Sequence, residues 1–531
     1  MLRVEVLLLL LLGILLLTGL AQRLSLPYPV VLVVGGLVLG LLPGLPMISL
    51  DPSLILVLFL PPLIYSAAWV TSWREMWRNI RSISFLATGL VVATTLLVGV
   101  TAHLLIPGLP WSAAFLLGAI ISPTDTVAGE AISERLDLPR RVLSVTQGES
   151  LLNDATGLVL YRFALAAVLS GAFSLVAATG EFVLVAVGGF AVGLVVGVVG
   201  AWLHRQFLTP LLDITLSLLI PFAAYVLAET LNVSGVLAVV TAGIYIGQRA
   251  PRLFTPNARV EALSFWRTLT FLLNGVVFIL IGFQLRVILT TTHRELLVQL
   301  LGAAIVVSLV VMAVRVAWAY PSAWLAWRLG GILGPRTDRP AWQGVTVVSW
   351  MGMRGVVSLA AALALPTAAS GALSQTVRDS IIFLTFVVIL VTLLVQGLSL
   401  PSLIRRLGLD QDKTRRNEAR AAHLAIAHVA LDRLEGLDGT TGLPEEQLVD
   451  LRTHYQERVS ILSAIQPDRA PTERHAAKSK HGAYQRVLLD LVEVQRQQAI
   501  SMRDNGEIGD EVLHDIEREL DLEELSERPT V

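Results

Sequence analysis

The chain of 531 residues is 54% hydrophobic and only 15% charged, with 41 glycines and no cysteine. Soluble globular chains run about 45–50% apolar and about 25% charged, so an ordinary water-soluble enzyme is excluded, as are disulfides and thiolate metal sites. The net charge of -1 conceals a division: residues 1–407 carry 24 Arg and no Lys against 16 acidic residues, whereas residues 408–531 carry 13 Arg and 3 Lys against 25. A long apolar domain over 1–407 followed by a short, acidic, soluble domain over 408–531 is expected, and no basic face remains to recruit nucleic acid.

A run of about 20 apolar residues spans the hydrocarbon of a bilayer. Thirteen such stretches follow one another: Val4–Leu20, Pro29–Leu42, Leu54–Val70, Ile83–Ile106, Trp111–Ala131, Val142–Leu169, Phe182–Leu203, Ile214–Leu231, Val233–Ile246, Phe265–Leu285, Leu296–Ala319, Val345–Leu365 and Ile381–Leu403. The first is too long for a signal peptide, lacks a clear small-residue cleavage site and is expected to be retained as a helix. Connections after the odd-numbered stretches hold 14 arginines, while those after the even-numbered ones hold Arg294 and Arg378, with Arg286 at a boundary. Because short cytoplasmic loops collect Arg and Lys, the N-terminus is expected outside and the acidic domain in the cytoplasm, in a multi-pass protein of the bacterial inner membrane. After Leu407, apolar positions spaced three and four apart predict helices near Ala422–Leu434, Leu448–Ile465, Tyr484–Ile500 and Val512–Leu525. That acidic domain reads equally well as a regulatory or dimer-stabilising module and as a helical appendage without chemistry.

A charged side chain within hydrocarbon costs at least about 2.5–3.5 kcal/mol on insertion scales, so each one needs a partner or a pathway. Those in question are Asp125, Glu149, Asp154, Arg162, Glu229, Arg315 and Arg354, with His103 and Asp213 nearer helix ends. In the fifth stretch, Ser122-Pro123-Thr124-Asp125-Thr126 joins a helix-breaking proline, which frees carbonyls at mid-membrane, to three hydroxyls and a carboxylate. Oxygen ligands of this kind suit a hard cation such as sodium, although a proline kink with a buried, arginine-paired aspartate would read the same way. In the sixth, Glu149 and Asn153 form one stripe and Ser150 and Asp154 the next, so one carboxylate can face a cavity while the other turns into protein. Arg354, flanked by Gly352 and Gly355, is the expected partner of Glu149, as a structural pair; Arg162 is given no role. Two interrupted helices, fifth and twelfth, each second in a unit of three, fit the inverted repeats of secondary transporters, whose broken helices build a midplane site. The fold expected is an all-α polytopic membrane protein of about 13 transmembrane helices with two interrupted, crossing helices and a helical cytoplasmic tail.

Ser122-Pro123-Thr124-Asp125, Gly148 to Asp154, Val233-Ser234-Gly235-Val236-Leu237-Ala238, Asn274-Gly275 with Gly282, and Gly352-Met353-Arg354-Gly355 occur in order along the apolar domain. In these stretches the sequence resembles bacterial monovalent cation:proton antiporters of the NhaP-like group, related to animal sodium/proton exchangers. The resemblance implies a homodimer in which a six-helix core, stretches 4–6 and 11–13, moves against a dimerisation bundle. It further implies that Asp154 is the carboxylate of the exchanged ion, with Thr124 giving a backbone oxygen, Ser150 a hydroxyl and Asp125 a second polar group. Asn153 stands where charge-translocating relatives carry a second Asp, implying electroneutral exchange. Several relatives place an acid where this chain has Ser66, which the resemblance makes a candidate cavity residue, and its absence keeps potassium open beside sodium. The partners expected are therefore sodium or potassium ions, protons and the lipid bilayer, with no cofactor. An intramembrane aspartyl protease would need Tyr-Asp and Gly-x-Gly-Asp, absent at Asp125 and Asp154, and Gly148-Glu149-Ser150 is no hydrolase elbow. A passive cation channel remains the rival reading.

Overall fold

The computed structural model describes residues 2–42, 55–125, 138–170, 175–207, 209–291, 294–330, 339–366, 373–409, 413–436, 445–464 and 491–502, with scattered positions between 127 and 136 and after 504. They contain helices and no strand, as expected in lipid, where a helix satisfies its backbone internally. The chain divides into two compact units, Met1–Gln411 and Asp412–Val531.

In the first unit, α1 (Leu2–Arg23) and α2 (Tyr28–Leu41) precede a π-helical turn, Ile55–Phe59, that leads into α3 (Leu60–Val70). Pro61 and Pro62 fall in the first turn of α3, where a missing N–H costs little. The short α4 (Trp73–Arg78) is capped by the Ser72 side chain, which accepts the Glu75 N–H. Next, α5 (Ile80–Ser84), a π-helical segment (Phe85–Leu90) and α6 (Val91–Leu105) make one helical run. After α7 (Trp111–Ile121) the helix stops at Ser122-Pro123. Five long helices follow: α8 (Arg140–Ser170), α9 (Leu175–His204), α10 (Pro210–Thr230), α11 (Gly235–Leu253) and α12 (Pro256–Thr291). After α13 (Arg294–Arg328), the pair α14 (Trp342–Trp350) and α15 (Val356–Leu363) is split by a non-helical segment, and α16 (Gln375–Arg406) closes the unit. Among the described residues, seven helical runs are long and apolar enough to cross a membrane. The described residues of the apolar stretches lie mostly on helix, with breaks in the fifth and twelfth.

Lipid is as apolar as leucine, so helices in a membrane associate through close packing. Thus α2 lies along α12 with Gly282 against the Val33 carbonyl, where a Cβ would not fit. The buried apolar side chains form two clusters. One gathers α1, α2, α6, α7, the second half of α12, α13 and the helices α14–α16; the other gathers α3, α10, α11 and the first half of α12. Helix α8 stands at the seam, giving Val142 and Val145 to the first cluster and Leu151 and Ala155 to the second.

In the second unit, α17 (Lys413–Glu435) packs on α18 (Glu445–Ala464), and Arg452 Nη2 donates to the Leu434 carbonyl at 3.4 Å. The expected helix at Ala422–Leu434 lies within α17, that at Leu448–Ile465 corresponds to α18, and 491–502 is helical within the third. Residues 484–490 and most of 512–525 lie outside the described residues.

Candidate functional site

The two interrupted segments meet. The Asp125 N–H donates to the Met353 carbonyl at 2.8 Å, joining Ser122-Pro123-Thr124-Asp125 to Met351-Gly352-Met353-Arg354-Gly355. Each break exposes half-helix ends, whose orphan carbonyls and N–H groups carry partial charge and cannot be left bare at membrane depth. Both kinds of end are met by a charge of opposite sign. At the C-terminal end of α7, Arg354 Nη1 donates to the Ser122 carbonyl; at that of α14, Arg315 Nη2 donates to the Val348 carbonyl at 3.0 Å. At the N-terminal end of α15 the Asp125 carboxylate accepts the Val356 N–H, and it also accepts the Val127 N–H at 2.9 Å. Gly355 makes this possible, because a Cβ there would occupy the space of the Asp125 carboxylate.

The expected Glu149–Arg354 pair is corrected. Glu149 is held by Arg315, whose Nη1 donates to Oε1 and whose Nη2 donates to Oε2 at 2.9 Å, both side chains being 1% exposed. The reason is steric: Arg315 crosses over Gly352, where any side chain would strike its guanidinium, and so reaches Glu149 from α13. Arg354 is fixed elsewhere, by the Ser122 carbonyl and by its own N–H to Thr392 Oγ1 of α16 at 3.2 Å. Arg162, for which the sequence gives no role, pairs with Glu229 of α10 at 2.8 Å, the side chains being 44% and 37% exposed. His204 and Asp213 form a buried pair at 2.9 Å, and His103 Nδ1 lies 2.7 Å from the Leu109 carbonyl.

From Glu149 a hydrogen-bonded chain runs to the first break. Thr124 Oγ1 donates to Glu149 Oε1 at 3.1 Å and accepts from Asn153 Nδ2 at 2.6 Å. The Thr124 carbonyl, freed by the break, accepts from Asn153 Nδ2 and from Ser150 Oγ, each at 3.3 Å. Arg315, Glu149, Asn153 and Ser150 thereby fix the orientation of Thr124.

Asp154 is treated differently. One turn beyond Ser150 on α8, its carboxylate makes no hydrogen bond or ion pair with any described residue, and with Thr124, Asp125, Ser150 and Asn274 it lines a cavity of about 90 Å³. That volume admits several water molecules. Helix α3 closes one side with Leu60, Leu63, Ile64 and Ala67. Ser66 is corrected as a cavity residue: its Oγ donates back to the Leu63 carbonyl at 2.9 Å and it lies outside the lining, because Leu63 and Ala67, four apart, define the inward stripe. Asn274 enters from α12, whereas Gly275 and Gly282 serve packing against α1 and α2.

A family model described as sodium/hydrogen exchanger, transmembrane, matches residues 7–406. A protein of Mycobacterium tuberculosis (strain ATCC 25618 / H37Rv), named as an uncharacterized Na+/H+ exchanger, is 36% identical over 512 residues, 96% of this chain and 93% of its own. A sodium, potassium, lithium and rubidium/H+ antiporter of Bacillus pumilus (strain SAFR-032) is 35% identical over 390 residues, covering 71% of this chain and 57% of that protein. In fold, the chain is similar to the sodium proton antiporter MjNhaP1 from Methanocaldococcus jannaschii, with a TM-score of 0.57 at 20% identity over 78% of this chain and 100% of that one.

Proposed function

The chain belongs to the sodium/hydrogen exchanger family, and from that premise we propose that it exchanges one sodium ion for one proton across the cytoplasmic membrane, with Asp154 as the group that binds each in turn. The observation that carries this reading is the charge pattern around the two breaks. Glu149 is paired with Arg315, and the charges of Asp125 and Arg354 each meet a half-helix end, while the cavity-lining Asp154 meets neither among the described residues. With one proton or one monovalent cation on Asp154 the group of five charges is neutral; with neither, it carries an uncompensated negative charge. A buried charge costs at least about 2.5–3.5 kcal/mol, a factor of roughly 70–370 at equilibrium, so an empty site crosses far less often than an occupied one. Exchange without leak follows, and because both cargoes carry one charge, it is electroneutral. Asn153 supports the same stoichiometry, since it occupies with a neutral amide the place of a second carboxylate.

The oxygen atoms at the cavity suit an alkali cation as transported substrate: the Asp154 and Asp125 carboxylates, Ser150 Oγ and the Thr124 carbonyl. Helix α3 adds no charge there, and a site with few anionic ligands discriminates weakly by ion size. The cation range named for the Bacillus pumilus relative supports potassium as a second substrate. The homodimer, the cytoplasmic position of residues 408–531 and the external N-terminus belong to the same reading, on the loop arginines and the family.

Purified protein in vesicles tests it. A proton gradient imposed without a membrane potential is expected to drive sodium uptake against its own gradient, and an imposed potential alone is expected to drive none. Uptake that ignores the proton gradient and follows the potential would identify a passive channel instead.

A further inference from the structure

A second cavity, of about 140 Å³, lies among α5, α8, α13 and α14 and shares no lining residue with the ion cavity. Its wall is mostly hydrocarbon, including Leu86, Val142, Val145, Val345 and Val348, and among the described residues no acidic one lines it. Among the described residues the one charged side chain in the lining is Arg141. More arginines adjoin it along the chain: Arg81 precedes the lining Ser82, Arg140 precedes Arg141, and Arg339 precedes the lining Pro340. Its depth is marked by tryptophans. On α13, just past the lining Ala323, Trp324 has the Arg328 guanidinium 4.2 Å from its ring centroid, and Arg339 lies 5.8 Å from that of Trp327. Immediately before α5, Trp73 and Trp77 of α4 are stacked with centroids 5.6 Å apart, and both are exposed. Tryptophan rings paired with arginines collect at the level of lipid headgroups.

The hydrocarbon part of the cavity offers water no hydrogen-bond partner, and empty it forfeits the contacts of its lining atoms. A free anion would find one arginine and a hydrocarbon wall. Only a molecule with an anionic head and a hydrocarbon tail matches both parts at this depth. We infer that the cavity takes the first several carbons of one acyl chain of an anionic phospholipid, whose phosphate lies against Arg141 at the headgroup level, where a guanidinium and a phosphate form charge-assisted, often bidentate, hydrogen bonds. This inference is independent of the ion-exchange reading, and its test reads binding rather than transport.

The full chain is exchanged in vesicles containing equal amounts of phosphatidylglycerol and phosphatidylcholine, extracted, and examined by native mass spectrometry for retained lipid. The wild type is expected to retain phosphatidylglycerol preferentially. Arg141→Ala should reduce that preference about fivefold, as loss of one interfacial arginine implies. Val145→Trp, which fills the cavity, should lower retention of both lipids, and the milder Ala323→Leu should do so to a smaller extent, which keeps the test decisive if the tryptophan variant does not fold. Excess inorganic phosphate should displace nothing. Equal retention of the two lipids by the wild type, retention unaffected by a folded cavity-filling variant, or displacement by inorganic phosphate would each overturn the assignment.

Discussion

At the scale of single residues, the two ion pairs that involve α8 differ by burial, and burial decides what each does. The Glu149–Arg315 pair is 1% exposed on both sides, so removing one partner strands a charge at a cost on the order of 3–5 kcal/mol. Arg315→Ala should therefore lower the thermal midpoint and folded yield in detergent, with partial recovery in Arg315→Ala/Glu149→Ala; equal losses in single and double variants would contradict the pairing. The Arg162–Glu229 pair is 44% and 37% exposed, and exposed pairs contribute about 0–1 kcal/mol, so Arg162→Ala should leave both measurements nearly unchanged. The two carboxylates are legible in the sequence as two stripes of one helix, because a helical spacing of four is a local fact. The arginine that meets Glu149 is not legible: Arg315 and Arg354 are 39 positions apart, and the choice between them depends on which guanidinium Gly352 lets past. The same locality explains Ser66, whose place on α3 was legible while its rotation away from the cavity was not.

At the scale of elements, both breaks are legible because proline and glycine act through the backbone: Pro123 supplies no donor to continue α7, and Gly352 and Gly355 lie within the gap between α14 and α15. The way the exposed ends are compensated was not legible, since it depends on Asp125 reaching the first turn of a helix more than 200 residues away. That dependence makes a prediction. Gly355→Ala would place a methyl group in the space of the Asp125 carboxylate and should reduce exchange at least tenfold, because the carboxylate must leave the α15 N-terminus. Gly344→Ala, whose Cβ would meet nothing closer than Val142 Cγ2 at 3.4 Å, should leave the rate within about twofold. Dequenching of a pH dye in everted vesicles reads both; unchanged exchange in Gly355→Ala would mean that Asp125 does not act through that helix end.

At the scale of the whole molecule, the division into apolar and acidic parts was visible in composition alone, whereas the partition of the apolar part into two clusters that meet along α8 requires the fold. Every residue of the candidate site lies before Gln411, within the first compact unit. Deleting residues after Gln411 should therefore preserve exchange in vesicles and alter at most its rate or pH dependence; a folded truncated protein that exchanges at no pH would show that the tail completes the path. The central claim is that the molecule carries its two cargoes alternately on one carboxylate. Asp154→Asn removes the one carboxylate near the breaks that meets neither a counter-charge nor a half-helix end among the described residues and leaves the hydrogen-bonded chain from Arg315 to Thr124 intact. Sodium-induced dequenching, measured from pH 6 to 9 with protein amount and folding matched to the wild type, should fall to the level of empty vesicles at every pH. Exchange at the wild-type rate in that variant would contradict the account.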